Sequence, residues 1–387
     1  MKLFYVLFTT TLVLSAEVDF KTSNKLFAAT AYKKIAKNTN NNLIVSPLSV
    51  QTILALTQTG CKGESATEIK NALNFTDDPR IVEATFQNLS FVSKKYTMRT
   101  VNKVYVKKNF AISDVFRRMC RAFDAETQNL DFSDKNQASQ SINSWVEQQT
   151  NNTIKNLVTP SSFNDRTRVL LINALYFKAD WSEAFPIAYT KKLNFHLSSS
   201  ENTTADMMIL HEKHFNYYQS DSLKATFLKL PFKGEEASMV IVVPDDIDGL
   251  PLLETQMKKV LRPKKFASTF VNVLLPKFRI ETSLDFKKVL KNMGVSSIFD
   301  EKSADLSGIA GKKGDLVVDK VAQKSYIDVS EEGVEAAAAT YVLIAVPMSA
   351  PPEPPKMFRA DRPFLFYIKV KGVIVFVGRV TNPLKLN

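Results

Sequence analysis

The fold is decided by one stretch of the sequence, which begins Glu331-Glu332-Gly333-Val334-Glu335-Ala336-Ala337-Ala338-Ala339-Thr340 and continues through Tyr341-Val342-Leu343-Ile344-Ala345-Val346. The alanines favour a helix start, whereas the run after them strongly favours a strand. At a period of two, one face carries only small or β-branched side chains, at positions 334, 336, 338, 340, 342 and 344. Glu335 falls on the opposite face. Because the first face brings little volume and no charge, such a strand can slide between two others.

Prolines follow this segment at positions 351, 352, 354 and 355. Proline cannot extend a central strand and favours an extended, exposed backbone. The segment is therefore a potential strand tethered to a stretch that resists sheet pairing. Composition alone fits a second interpretation equally well, namely a plain edge strand followed by a proline-rich loop.

Composition places the rest of the chain among ordinary globular proteins. Of 387 residues, 45% are hydrophobic and 23% are charged, with 11 Gly and 2 Cys, which excludes disordered, collagen-like and disulfide-scaffolded classes. Length alone suggests two or three domains. However, no repeat, Gly/Ser linker or like-charge tail divides the chain.

Helical and strand patterns mix along the length. Apolar residues at helical spacing predict a helix around residues 20–37, and Ser46-Pro47 opens a capped helix. Residues 100–106 and 239–243 read as strands, and a tight turn at Lys371-Gly372 joins two buried strands over 364–368 and 373–377. Without a regular βα alternation, this mixture predicts an α+β domain.

The N-terminus resembles a secretory signal peptide. Lys2 precedes an apolar run that ends at Ser15-Ala16. The run is shorter than the roughly 20 residues that a membrane span needs. We therefore expect residues 1–16 to be removed and a secreted chain of residues 17–387; a buried N-terminal helix is the alternative.

Two further features of the sequence, its N-glycosylation triplets and its two cysteines, are relevant if the protein is secreted. Four N-glycosylation triplets begin at Asn74, Asn88, Asn151 and Asn202. Cys61 and Cys120 could pair in an oxidising compartment, but nothing in their spacing requires it. Two separately buried thiols fit equally well.

No catalytic constellation is visible. His211 and His214 lie three apart without a third metal ligand, and there is no GxSxG elbow, Walker loop or dinucleotide fingerprint. The sequence therefore predicts a protein that is not an enzyme and that needs neither a metal nor another cofactor.

Other stretches, combined with the first one, carry a family resemblance. Residues 331–340 look like the hinge of the reactive-centre loop of serpins. Further serpin-like stretches lie at 42–49 (NLIVSPLS), 60–69, 173–178 with Trp181 and Phe185, 275–278, 305–307, 358–364 and 378–380 with Pro383. Because so many matches occur in order, the resemblance covers almost the whole chain.

The resemblance implies a single serpin domain over residues 17–387, with three β-sheets surrounded by helices and an exposed loop within 331–357. It further implies an inhibitor of the secreted, invertebrate-like type that acts as a suicide substrate. A serine protease attacks the loop and forms an acyl-enzyme, and the cut loop inserts into the main sheet as a new strand. Hinge residues in this scheme are Glu331, Glu332, Gly333, Val334, Glu335, Ala336, Ala337, Ala338, Ala339 and Thr340.

The scissile bond is expected between Met348 and Ser349. The stretch 345–349 resembles the reactive site of elastase-inhibiting serpins, and an unbranched apolar Met suits elastase-like or chymotrypsin-like pockets. The family's usual spacing from Glu331 ends one residue earlier, on Pro347, so cleavage after a neighbour such as Val346 or Ile344 is the alternative.

Two positions depart from the family pattern. Gln323 stands where a His is common beneath the opening sheet, and Arg362 also stands where His is frequent. Gln can still form hydrogen bonds, but it does not titrate, so the departure bears on how sheet opening depends on pH.

Positive charge is concentrated in one region. The chain carries a net +12, and residues 94–121 contain nine basic residues and one acid. In glycosaminoglycan-regulated serpins, the polysaccharide binds near the first helix and the helix before this strand. The matching residues are Lys33, Lys34, Lys37, Lys94, Lys95, Arg99 and Lys103. A heparin-like chain bound there would accelerate inhibition by bridging inhibitor and protease; a merely solvated basic surface is the alternative.

These observations predict a monomeric extracellular inhibitor of a proteolytic cascade such as one of innate immunity. Its partners would be the target serine protease, in a covalent acyl complex, and a sulfated polysaccharide, with no nucleic acid or membrane. The alternatives are a non-inhibitory serpin that acts as a carrier or storage protein, and a cross-class inhibitor of cysteine proteases.

Overall fold

The computed structural model describes residues 20–74, 95–164, 166–334 and 354–386. Helices occupy 20–36 (α1), Pro47–Thr59 (α2), Gly63–Leu73 (α3), Asp114–Ala122 (α4), Lys135–Gln149 (α5), Leu250–Thr255 (α6), Met257–Val260 (α7) and Lys287–Lys291 (α8). Among these, no helix is long and apolar enough to cross a membrane.

Strands alternate irregularly with the helices, as an α+β fold requires. They are Leu43–Val45 (β1), Tyr96–Lys107 (β2), Glu126–Leu130 (β3), Val169–Asp180 (β4), Lys191–His196 (β5), Asn202–Ser220 (β6), Ala225–Pro231 (β7), Ala237–Pro244 (β8), Ala267–Pro276 (β9), Phe278–Asp285 (β10), Val318–Val329 (β11), Gly333–Val334 (β12), Lys356–Arg359 (β13), Phe364–Val370 (β14) and Val373–Val380 (β15).

The described strands form two hydrogen-bonded sheets. The smaller sheet has the order β10-β11-β12-β4-β2-β3, and the larger runs β1-β15-β14-β8-β7-β6-β9-β13 with β5 on β6. Family resemblance implied three sheets. Two of these are continuous here because the 19-residue β6 pairs with β5 and β9 along one part and with β7 at its end.

Local sequence signals explain several of these elements. Ser46 caps α2 by accepting from the backbone N–H of Ser49, and Pro47 occupies the first turn, as predicted. The β14–β15 hairpin turns at Lys371 and Gly372, which have φ values of 49° and 83°. Two successive positive φ values match the right-handed twist of the strands and are easiest at glycine.

The core lies in three layers. One cluster packs α1 and α2 against one face of the larger sheet, where Val240 and Val242 of β8 point. Met239 and Ile241 point the other way, into a cluster between the two sheets. The third cluster lies between the smaller sheet and α5. The smaller sheet is therefore covered on both faces, and a strand added within it must fit both coverings.

The two cysteines do not pair. Cys61 and Cys120 are both buried and free, and burial raises the pKa of each thiol, in Cys120 to about 12. Of the alternatives left open by the sequence, the structure has two separately buried thiols.

Candidate functional site

The smaller sheet parts at one end. Strands β4 and β11 pair in parallel from Val169 and Val318 to Leu175 and Ser325. Beyond that point, the two-residue β12 lies between them: Val334 is opposite Ala179 of β4 and opposite Val329 of β11. The beginning of the predicted hinge is therefore already seated as a strand inside the sheet.

Gly333 allows this close approach. A Cβ atom on Gly333 would lie 2.1 Å from the backbone oxygen of Ala179 and 2.7 Å from the Cα of Asp180. Real Cβ atoms do not approach that closely, so another residue would force the strands apart. The sequence predicted Gly333 as a hinge residue, and the structure shows why β12 requires a glycine at this position.

Backbone hydrogen bonds anchor the turn that leads into β12. The N–H groups of Trp181 and Phe185 donate to the carbonyls of Glu332 and Glu331 at 2.8 and 2.9 Å. The indole of Trp181 donates to the carbonyl of Ser330 at 3.0 Å and stacks on Phe232, with ring centroids 4.6 Å apart. Trp181 and Phe185 belonged to the serpin-like stretches, and here they hold the turn that leads into β12.

Glu331 is held by side chains from two other elements. Its carboxylate accepts from Thr190 Oγ1 at 2.8 Å and lies 2.9 Å from Lys277 Nζ, although its side chain is only 8% exposed. Burial would raise the pKa of Glu331, but hydrogen bonds from Lys277, its own backbone and Thr190 outweigh burial and lower it. The carboxylate is therefore a charged anchor in the turn between β11 and β12.

Val334 sits in the core between the two sheets. It is 1% exposed and belongs to the cluster that contains Phe177, Ala179 and Ile327. If the strand continued beyond Val334, every second residue counted from Val334 would point into this core.

A polar network closes the sheet below β12. Gln323 of β11 donates from Nε2 to Asn173 Oδ1 of β4 at 2.9 Å and to the carbonyl of Ser46 at 2.8 Å. Its Oε1 accepts from the N–H of Ser46 at 3.0 Å. Asn173 in turn donates to Asn102 Oδ1 of β2 at 2.7 Å. The neutral amide of Gln323 thus ties three strands and the start of α2 together without a titratable group.

The remaining hinge and loop predictions fall outside the described part. Residues 335–340 and the predicted reactive bond Met348–Ser349 are not among the described residues. Among the predicted glycosylation sites, Asn74, Asn151 and Asn202 are exposed, and Asn88 lies outside the described residues.

The predicted glycosaminoglycan residues have different surroundings. Lys33 of α1 and Lys37, just after α1, are exposed, and Lys34 is half-buried; the Lys33 ammonium donates to the carbonyl of Thr255. Lys95 is exposed, and its side chain packs over Gly234. Lys94 and the side chain of Arg99 lie outside the described part.

Lys103 differs from the surface cation that the sequence suggested. Its side chain is 6% exposed, pairs with Glu126 at 2.9 Å and lies 4.5 Å from the ring of Trp145. The parallel pairing of β2 with β3 places Glu126 directly opposite Lys103, and Trp145 of α5 packs against the Lys103 ammonium. Its ammonium is therefore largely withdrawn from a polyanion.

Sequence reasoning assigned no role to several residues that build this site. Lys277 lay in a quoted serpin-like stretch and Thr190 in none, yet both bind Glu331. Asn173 was quoted without a role, Ser46 was assigned only as a helix cap, and Asn102 was not singled out. For Asn173, the signal was its polarity within the otherwise apolar run of β4.

No group of three or more His, Cys, Asp or Glu side chains that could hold a metal occurs in the described ranges. What the site offers instead is mechanical. Two central parallel strands, β4 and β11, part at one end to admit the two-residue β12, which defines a class of proteins that hold a short strand between two parted strands of a central sheet.

Comparisons with known proteins agree with this class. The model of the serpin family, described as serine protease inhibitors, matches residues 22–383. Alaserpin of Manduca sexta is 34% identical over 386 residues, which cover 96% of this chain and 97% of alaserpin. The leukocyte elastase inhibitor of Equus caballus is 34% identical over 383 residues, covering 94% of this chain and all of that protein (100%).

A solved structure matches as well. Serpin48, described as a highly specific serpin of the insect Tenebrio molitor, superposes with a TM-score of 0.89 at 47% identity, covering 94% of this chain and 98% of Serpin48. This chain belongs to the serpin family. It has the single-domain serpin fold, and serpins need no cofactor.

Proposed function

We propose that this protein is a secreted inhibitor of serine proteases that traps its target by inserting residues 335 onward into the smaller sheet after cleavage. The observation that carries the proposal is β12, a strand of two residues seated between β4 and β11 at the point where they part. A segment that is already in register at its foot can extend the same strand once its far end is released.

The register of β12 predicts where each following residue would go. Because β12 is antiparallel to both neighbours, residues 335–337 would fall opposite 178–176 of β4 and 328–326 of β11. These positions are not paired with each other across the gap. Ala338 would be the first residue to separate an existing pair, Leu175 and Ser325. Insertion therefore meets its first barrier at Ala338.

The side-chain alternation of the hinge matches these neighbours. Val334 points into the core, so Ala336, Ala338 and Thr340 would point there too. Thr340 would reach Gln323 and Asn173, where its hydroxyl can replace hydrogen bonds that insertion breaks. Glu335 would point to the opposite face, beside Lys178 of β4. The inserted face would thus bury no charge.

The scissile bond and target class rest on the loop sequence. We propose cleavage after Met348 by an elastase-like or chymotrypsin-like protease. The basis is the resemblance of residues 345–349 to elastase-directed reactive sites, and the family relationship to an elastase inhibitor agrees with it. We further propose that residues 1–16 direct secretion and that the protein regulates an extracellular cascade.

Incubation of the full protein with elastase, chymotrypsin, trypsin and papain tests this proposal. We expect an SDS-stable complex with elastase or chymotrypsin and a released peptide that begins at Ser349. Cleavage without any stable complex would favour the non-inhibitory alternative, and a stable complex only with papain would favour the cross-class alternative. A peptide beginning elsewhere would overturn the Met348–Ser349 assignment alone.

We also propose that a heparin-like polysaccharide binds along the predicted basic residues, without Lys103. Support comes from the exposure of Lys33, Lys37 and Lys95. Replacing Lys34 and Lys37 by Gln should lower the salt at which the protein elutes from heparin, because fewer counterions are released. The matched control replaces Lys288 and Lys291 of α8. Equal elution of both double variants would refute this placement.

A further inference from the structure

Four half-buried lysines from four separate segments lie together on the α1 side of the larger sheet. They are Lys25 of α1, Lys229 of β7, Lys264 between α7 and β9, and Lys369 of β14. None of them belongs to the hinge or to the predicted glycosaminoglycan residues. We call them the four-lysine cluster.

Strand register brings the two sheet lysines together. Val240 of β8 is opposite Lys229 on one side and opposite Tyr367 on the other. Lys369 lies two residues beyond Tyr367 on the same strand, and its ammonium is 5.0 Å from the centre of the Tyr367 ring. Lys229 and Lys369 therefore project from the same face across a single intervening strand.

The other two lysines reach the same place from outside the sheet. The Lys264 ammonium lies 4.9 Å from the centre of the ring of Phe227, two residues before Lys229. Lys25 follows Asn24, whose side chain bonds both the N–H and the carbonyl of Ile374 at 2.8 and 3.1 Å. Ile374 is the residue paired with Lys369.

The cluster lacks a countercharge in the ranges that the structure describes. There, no carboxylate forms an ion pair with any of the four ammonium groups, and only Lys264 has hydrogen bonds, to the carbonyls of Lys259 and Arg262. Half-buried like charges without a partner are costly, because neither water nor an opposite charge compensates them fully.

The protonation of the cluster reflects this cost. Burial, followed by the charges of Lys25, Lys264 and Lys229, lowers the pKa of Lys369 to about 8. Burial and the charge of Arg262 lower the pKa of Lys264 to about 8. Lys369 and Lys264 remain mostly protonated at neutral pH although burial and neighbouring positive charges oppose their protonation, and a bound anion would offset that opposition.

We propose that the four-lysine cluster is a binding site for a phosphate or sulfate ester group of a small anion. An ester of either kind presents several strong acceptor oxygens to ammonium donors that approach from different directions. The aromatic floor of Phe227 and Tyr367 suits a compact ligand, whereas a long polysaccharide needs an exposed track of cations. The site is independent of the reactive loop and of the proposed inhibition.

Binding can be measured by calorimetry and thermal unfolding of the full protein, with sucrose octasulfate and inositol hexakisphosphate as the sulfate and phosphate probes. At constant ionic strength and neutral pH, we expect at least one probe to bind and to raise the unfolding midpoint. Replacing Lys229 and Lys369 by Gln should weaken binding by about tenfold or more. The preferred probe identifies which ester the site takes.

Two further variants test whether binding depends on the four-lysine cluster. Replacing Lys288 and Lys291 of α8 by Gln removes the same net charge elsewhere and should leave binding unchanged. Replacing Lys25 alone, on the surface of α1, carries little risk to folding and should weaken binding partially. Equal weakening in the α8 variant, or no binding of either probe to the unmodified protein, would overturn the proposal.

Discussion

The side-chain amide of Gln323 donates a hydrogen bond to Asn173 Oδ1 at 2.9 Å, across the line along which β11 and β4 must separate. These two residues are also paired in the register of the two strands. The bond is made where the extended register of β12 would bring Thr340. Sheet opening is thus resisted by a buried, neutral contact that the inserting strand can replace.

Replacing Gln323 by Leu should destabilise the native protein. Leu has a similar size but removes the hydrogen bonds that Gln323 makes to the N–H and carbonyl of Ser46 and to Asn173 Oδ1, at a cost of about 1–3 kcal/mol. Urea unfolding measures this change. Replacing Ser325 by Ala is the matched control, since its hydroxyl makes only a 3.4 Å contact to Gln323. If the two variants were equally stable, the network would have no special role.

Replacing Gly333 by Ala should expel β12 from the sheet, because the added Cβ would meet the backbone of Ala179. Emission of Trp181 reports the event, since its indole is bonded to the carbonyl of Ser330. Trp145 is the only other tryptophan, so a Trp145→Phe background isolates the signal. We expect a red shift as Trp181 loses its partner.

The control for this variant is Gly63, which has φ +53° and open space where a Cβ would lie. Gly63→Ala also places an alanine at a positive φ, but without a steric clash. An unchanged Trp181 spectrum in Gly333→Ala would contradict the close approach seen between β12 and β4.

Acidification should loosen the anchor at Glu331. Its pKa is lowered in the folded protein, so its stabilising contribution is present above the unfolded pKa of about 4.3 and is lost as the pH falls through the lower folded pKa. The unfolding midpoint of Glu331→Gln should therefore depend less on pH in this acid range than that of the unmodified protein. Identical pH profiles would show that the Lys277 pair contributes nothing there.

Replacing Val334 by Arg should convert the inhibitor into a substrate. Val334 is 1% exposed in the core between the sheets, and an unpaired guanidinium there carries a large desolvation cost. Each 1.4 kcal/mol added to the insertion barrier slows insertion about tenfold relative to hydrolysis of the acyl-enzyme. For Val334→Arg, we expect the stoichiometry of inhibition to rise about tenfold or more. For Val334→Ala, it should remain near the value of the unmodified protein. Equal stoichiometry for both would refute the inward orientation of this face.

Local patterns in the sequence predicted several elements of the fold and the small-residue face of the predicted hinge. The period-two face from Val334, the capped start of α2 and the hairpin at Gly372 all follow from neighbouring residues. The partners of the hinge do not, because Lys277 and Glu331 are 54 positions apart and meet only once β9 and the turn after β11 are packed.

The surroundings of Lys103 were not visible in the sequence for the same reason. Its place in a basic stretch suggested exposure, but β3 and α5 cover it with Glu126 and Trp145. Conversely, the four-lysine cluster is invisible in the sequence, where its members are scattered between positions 25 and 369. The register of β7, β8 and β14 brings Lys229 and Lys369 together, and α1 and the segment after α7 add Lys25 and Lys264.

The most direct test of strand insertion is the thermal unfolding of the protein before and after a protease cuts the segment 335–353. If β12 is the first part of a strand that extends between β4 and β11, cleavage should raise the unfolding midpoint markedly in the unmodified protein and little in Val334→Arg. A midpoint that stays the same or falls after cleavage of the unmodified protein would contradict the account.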